Sequence, residues 1–198
     1  MKHTELAFVE LCQAVRAQNQ MRIGGNFGLT SSMPPTPEKS QREFTAAAAE
    51  IEQAVSGLRR AGRQDYLPPG LLTRAWLRGL TGPRTGPESA QSDLDEAWEI
   101  AERGPMPLFR ADIHLYRARL FFREAQYPWD KHPDGTPRGP KDDFTAARAI
   151  ICRETVYQKD GVTLKHSYLR RLPELEDAED ALKRFEEERS ERESSREV

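Results

Sequence analysis

The sequence predicts an all-α protein, an α-solenoid-like array of antiparallel helix pairs joined by long irregular loops. Three observations lead there. Apolar residues recur at spacings of three and four along most of the chain, which is the period of one helix face. Gly and Pro cut these patterns into helix-sized pieces. Part of the pattern also repeats. Leu71-Leu72-Thr73-Arg74-Ala75-Trp76-Leu77 aligns with His114-Leu115-Tyr116-Arg117-Ala118-Arg119-Leu120, with Leu72, Arg74, Ala75 and Leu77 identical at an offset of 43 residues (74 to 117). Ile51, Ala54 and Val55 fall on Leu94, Ala97 and Trp98 by the same shift. Asp143-Phe144 and Ala147 match Asp93-Leu94 and Ala97 at an offset of 50 (97 to 147), and the loop 127–141 takes up the extra residues. A helix pair at a fixed period marks a solenoid.

The elements follow in order. Residues 4–22 read as a helix with Phe8, Leu11, Cys12 and Val15 on one face. Residues 23–41 read as a flexible linker, because Gly, Ser and Pro dominate and periodicity is lost. The repeat domain is expected over 42–188. Its first helix carries a Ser40/Glu43 capping box, with Pro37 an alternative start a turn earlier, and stops at Gly62. Pro68 and Pro69 open the next helix, which ends near Gly79 or Gly82. Ser92, three residues before Asp95, caps the helix carrying Leu94, Ala97, Trp98 and Ala101, and Gly104 stops it.

After Pro105 and Pro107 a helix shows two apolar stripes: Ala111, Leu115, Ala118 and Phe122, then Ile113, Tyr116 and Leu120. Such a helix needs neighbours on two sides. The loop 127–141 holds four prolines and two glycines. Asp142 or Asp143 caps a helix to about Glu154. Residues 155–172 read as an irregular loop leading to a short helix, with a small hairpin around Lys159-Asp160-Gly161 as the alternative. Pro173 starts the last helix, whose only apolar stripe is Leu175, Ala178, Leu182 and Phe185. Residues 189–198 have no apolar face and read as a disordered charged tail.

Composition narrows the function classes. The chain has 31% charged residues, a net charge of −2 and a mean hydropathy of −0.77. That balance disfavours non-specific nucleic-acid binding. No apolar run approaches the roughly 18 residues of a membrane span. Glu5 and Glu10 interrupt the place where a signal peptide would be apolar. Cys12 and Cys152 lack zinc spacing and read as reduced thiols, one or both buried. A cytoplasmic protein is expected.

The sequence offers little chemistry. Gly24-Gly25-Asn26-Phe27-Gly28 lacks the Lys-Ser/Thr pair of a phosphate loop. Asp130, His132 and Asp134 are too few for a metal site, and Cys152 with His166 shows no adjacency. No cofactor, metal or catalytic residue is expected. The basic residues say more. Arg74 and Arg78 share a helix face, and Arg117 repeats Arg74, with Arg110 and His114 on its helix. In a stacked array they would line a concave surface. Arg74, Arg78, Arg110, His114 and Arg117 are therefore the candidate partner-binding residues. They suit an acidic protein or peptide, with the acidic tail as a weak competitor.

GLRRAGRQDYLPPGLLTRAWLRGLTG, DLDEAWEIAERGPMPLFRADIHLYRARLF and YLRRLPELEDAEDA carry a resemblance. They resemble the C-terminal tetratricopeptide-type region of large bacterial signalling proteins, over roughly residues 49–182. In those proteins such repeats often follow a nucleotide-binding switch domain or a protease-like domain. The resemblance implies a non-catalytic interaction module or scaffold. A detached sensor or scaffold region, acting with a separately encoded switch ATPase or protease, is the alternative, and a small helical enzyme comes third. The repeat here is longer than the roughly 34 residues of a tetratricopeptide unit.

Overall fold

A computed structural model describes residues 37–62, 64–153 and 171–195. The described residues are all-helical, without strands. In chain order the helices are α1 Pro37–Arg60, α2 Leu67–Thr81, α3 Ala90–Arg103, α4 Pro107–Phe121, α5 Pro140–Ile151 and α6 Leu172–Ser194, with a 3-10 turn at Gln64–Tyr66 before α2. The expected helix at 4–22, the linker up to residue 36, the glycine cluster and nearly all of 155–172 lie outside the described residues.

The chain forms two compact units, Met1–Pro105 and Met106–Val198. In the first, α1 packs on α2 and α2 on α3. Gly70 lets α1 and α2 approach closely, since a Cβ there would stand 3.1 Å from Leu58 Cδ1. Ile51, Ala54, Val55, Leu58, Leu71, Ala75, Leu94 and Ala97 form the buried interior. In the second, α4 packs on α5 and α6 on both. Its core joins Ala111, Leu115 and Ala118 to Phe144, Ala147, Ile151, Leu175 and Leu182. The equivalent alanines, Ala54 with Ala97 and Ala75 with Ala118, are all fully buried.

Helix ends follow local chemistry, and several differ from the sequence expectation. Gly62 stops α1 in the left-handed region at φ +67, where a side chain would be strained. α1 includes Pro37, the alternative start a turn before the Ser40/Glu43 box. Pro68 and Pro69 lie in the first turn of α2, as expected, and Gly82 caps its end. The cap of α3 is Ser89, not Ser92. The Ser89 hydroxyl accepts from the Ser92 N–H at 3.2 Å, and the Ser92 hydroxyl accepts from the Ser89 N–H at 2.9 Å. Asp93 lies in the first turn and on the buried face, four residues before Ala97. Trp98, expected on the same apolar face as Leu94, Ala97 and Ala101, is only half-buried, at the flank of that face.

α5 is capped at Gly139, not at Asp142 or Asp143. The Asp142 carboxylate accepts from the Gly139 N–H at 2.7 Å, while Asp143 turns inward. α6 continues through Ser194, so 189–194 is helical rather than a disordered tail. Arg189–Glu193 and Arg192–Glu188 pairs, each four apart, support that exposed stretch.

Two substitutions separate core from surface. Leu94→Ala should lower unfolding free energy by about 2–5 kcal/mol in urea titrations, because Leu94 is fully buried. Deleting 189–198 should leave the urea midpoint unchanged, because 187–195 is exposed throughout.

Candidate functional site

Among the described residues each unit holds one buried carboxylate, at the same position of its helix. In the first unit it is Asp93, in the first turn of α3. Arg74 on α2 reaches it with a forked grip: Nε lies 3.1 Å from both oxygens and Nη2 2.7 Å from Oδ1. Arg78, one turn on, donates from Nη1 to Oδ1 at 3.0 Å. Glu52 on α1 accepts from Arg74 Nη1 at 3.0 Å, so three helices share one ion cluster. The Arg74 and Asp93 side chains are only 8% and 2% exposed. Burial pushes the Asp93 carboxyl up, against the pull of Arg74 and Arg78.

In the second unit the carboxylate is Asp143, in the first turn of α5 and fully buried. His114 on α4 places Nδ1 2.5 Å from Asp143 Oδ1. A bare Nδ1 would set its lone pair against the carboxylate, so Nδ1 carries the proton and donates. The Tyr127 hydroxyl donates to Asp143 Oδ2, and Arg138 Nη2 donates to Oδ1. Both donors come from the loop 127–138. Trp129 completes the cover: it meets Phe121 edge-on at 5.1 Å between ring centres, and the Arg117 guanidinium lies 4.6 Å from its ring centre.

Electrostatics follow this packing. Burial alone would push the Asp143 carboxyl up, but hydrogen bonds from His114 and Tyr127 and the charge of Arg138 outweigh it, and the carboxyl lies below its ordinary range. Burial lowers the His114 imidazole; Asp143 opposes that, while Arg138 and Arg117 add to it. Burial and the adjacent Asp143 raise the Tyr127 phenol, which therefore stays a neutral donor. A carboxylate this saturated with donors is poorly placed for general acid or base work. Its chemistry is positional, since it ties α4, α5 and a loop together.

The candidate partner-binding residues are mostly spent on these clusters. Arg74, His114 and Arg117 are buried, at 6%, 7% and 4% exposure. They do not line an open concave surface, because each lies within a hairpin. Arg78 points into the Asp93 cluster. Arg110 alone of the five is exposed. Arg74 and Arg78, expected to hold an acidic segment, instead hold Asp93 and Glu52. Asp130, His132 and Asp134 do not converge, and no group of three metal-ligating side chains occurs among the described residues. Asp134 instead accepts from the backbone and hydroxyl of Thr136 within a turn. Cys152 is a free, exposed thiol. No family model, curated protein or solved structure matches the chain.

Asp93, Asp143, Tyr127, Trp129 and Arg138 were not singled out as site residues from the sequence. The signal was present: Asp93 and Asp143 are identical across the 50-residue offset, directly before aligned Leu94 and Phe144. An acidic residue next to the apolar stripe reads as helix-start polarity until the cap is known.

Two outcomes check the clusters. Arg74→Ala should cost up to about 3–5 kcal/mol in urea unfolding by leaving buried Asp93 with Arg78 as its one remaining arginine, and the apolar pair Arg74→Met with Asp93→Leu should recover most of it. The Asp143 carboxyl is depressed on folding, so its stabilisation is present above the unfolded value of about 3.9 and is lost as pH falls through the folded value. Acid unfolding below about pH 4 should be shallower in Asp143→Asn than in wild type at matched starting stability.

Proposed function

We propose that the protein is a non-catalytic protein-binding scaffold of tetratricopeptide-like helix pairs, working in the cytoplasm. One observation carries this reading: a helix hairpin recurs with an arginine and a buried aspartate at corresponding positions. Arg74 and Arg117 correspond at the 43-residue offset, Asp93 and Asp143 at the 50-residue offset, and both carboxylates are buried in the first turn of the hairpin's second helix. Recurring hairpins build extended surfaces that bind other proteins. The consumption of buried charge by structure supports a scaffold over an enzyme. Among the described residues no helix is long and apolar enough to cross a membrane.

The test uses the intact chain as bait in its native host, followed by reconstitution with the purified candidate. A partner that co-elutes stoichiometrically from size exclusion supports the scaffold reading. Failure of every captured protein to bind directly would sink it. Arg110→Glu, at the exposed candidate position, should weaken the complex without changing the melting temperature. Arg74→Glu should instead lower the melting temperature, as a buried clamp residue would.

A further inference from the structure

The second unit differs from the first in what holds its buried carboxylate. In the first, the cations come from the preceding helix. In the second, His114 supplies one contact from the preceding helix, and the loop 127–138 supplies two, through Tyr127 and Arg138. His114 Nδ1 and Arg138 Nη2 converge on the same oxygen, Oδ1, and stand 3.2 Å from each other. Two cationic or potentially cationic groups thus compete for one acceptor.

The loop has its own small frame. His132 N–H donates to the Thr136 carbonyl at 2.9 Å, Gly135 N–H to the His132 carbonyl at 2.9 Å, and Arg138 N–H to the Asp130 carbonyl at 2.7 Å. Its bridge between Lys131 and Pro137 is isolated. Most of 130–137 is exposed, so the loop is fastened at its ends, by Tyr127, Trp129 and Arg138. Beneath it lie His114, Arg117 and Phe121, all buried.

We infer that residues 127–138 form an acid-released strap: a proton on His114 displaces Arg138 from the shared Asp143 oxygen, and the strap lifts from α4. The proton comes from solvent and binds Nε2, since Nδ1 is already protonated. In the closed cluster, Arg138 of the strap and Arg117 of α4 already set two positive charges against His114. A third positive charge is accommodated when Arg138 leaves. The imidazolium then serves as the counter-charge of Asp143, with Arg117 close by as the positional equivalent of Arg74. Arg171 and Glu174, at the start of α6, gather about Asp112 on α4. Opening carries Trp129 away from Phe121 and Arg117 and uncovers them. The burial that lowers His114 in the closed form favours uptake of the proton by the open form.

Hydrogen exchange on the intact chain reads the opening. A short isolated bridge is not stable alone, so the Gly135 N–H should exchange when the strap lifts. If only the open form takes up the proton on an imidazole of pKa about 6.5, the open-to-closed ratio rises about tenfold from pH 7.5 to pH 5.5. Protection of Gly135, corrected for intrinsic exchange, should therefore fall about tenfold while the amides of α3 keep theirs. His114→Asn retains an amide donor near the Nδ1 position but cannot titrate, and should abolish the fall. His132→Asn, which removes the other histidine of the neighbourhood, should keep it. Arg138→Gln should show low protection at both pH values with an unchanged circular dichroism spectrum. The inference is overturned by constant wild-type protection, by a fall shared with α3, by a fall that survives His114→Asn or vanishes in His132→Asn, or by wild-type protection in Arg138→Gln. Should His114→Asn not fold, the wild-type and Arg138→Gln arms decide.

Discussion

A buried carboxylate constrains each unit more than any apolar contact does. Removing a carboxylate from water costs several kcal/mol unless donors replace the water. Asp93 and Asp143 are each in the first turn of a helix, and each is buried. The helix before them must therefore deliver a donor at the right height. Arg74 does so for Asp93, and His114 does so for Asp143. A one-residue slip between the paired helices would leave a charge without its donors, whereas an apolar interface of alanines and leucines tolerates small slips. The clusters thus fix register, and the apolar interior supplies most of the attraction.

The two solutions differ because the connections differ. Between α2 and α3 the chain is short, and the preceding helix must satisfy the carboxylate with Arg74 and Arg78. Between α4 and α5 the connection is longer, and it folds back with Tyr127 and Arg138. Position 114 then need not be a fixed cation. His114 corresponds to Leu71 by the repeat offset, so a titratable ring stands where the first unit has a fully buried aliphatic side chain. Fixed positive charge thus reaches the carboxylate from the loop in the second unit and from the helix in the first, and a titratable ring stands in the interior.

The helices were largely legible in the sequence because spacing of apolar residues is a local signal. The stripe Ala111, Leu115, Ala118 and the stripe Leu175, Ala178, Leu182 read directly and are buried. Helix starts were less legible. Ser92 and Ser89 both suit a cap, and the choice depends on the approach of the chain through Gly86 and Glu88, which have positive φ. Asp93 faces the interior because it stands four and seven residues before buried Ala97 and Ile100, a face that the apolar stripe alone does not mark as taking a carboxylate. The candidate groove failed for the same reason. An arginine stripe on a helix looks alike whether it meets solvent or a carboxylate on the next helix. The persistence of α6 past Glu188 was missed because its support comes from charge pairs rather than from an apolar face.

Repetition and divergence of the clusters bear on how such a chain evolves function. A hairpin that buries one carboxylate tolerates change in the cation source, provided some donor reaches the acceptor in the closed state. The source can lie on a loop while Ala111, Leu115 and Ala118 of α4 remain packed with Phe144, Ala147 and Ile151 of α5. Once the donor is on a loop, its hold on the hairpin is set by a few hydrogen bonds and ring contacts, not by a whole helix. Local opening then costs much less than unfolding, because the apolar interior can remain intact. A rigid ion pair and a releasable strap are thus neighbouring solutions to the same desolvation problem. The residue that distinguishes them is the one at the leucine position of the repeat, where His114 stands.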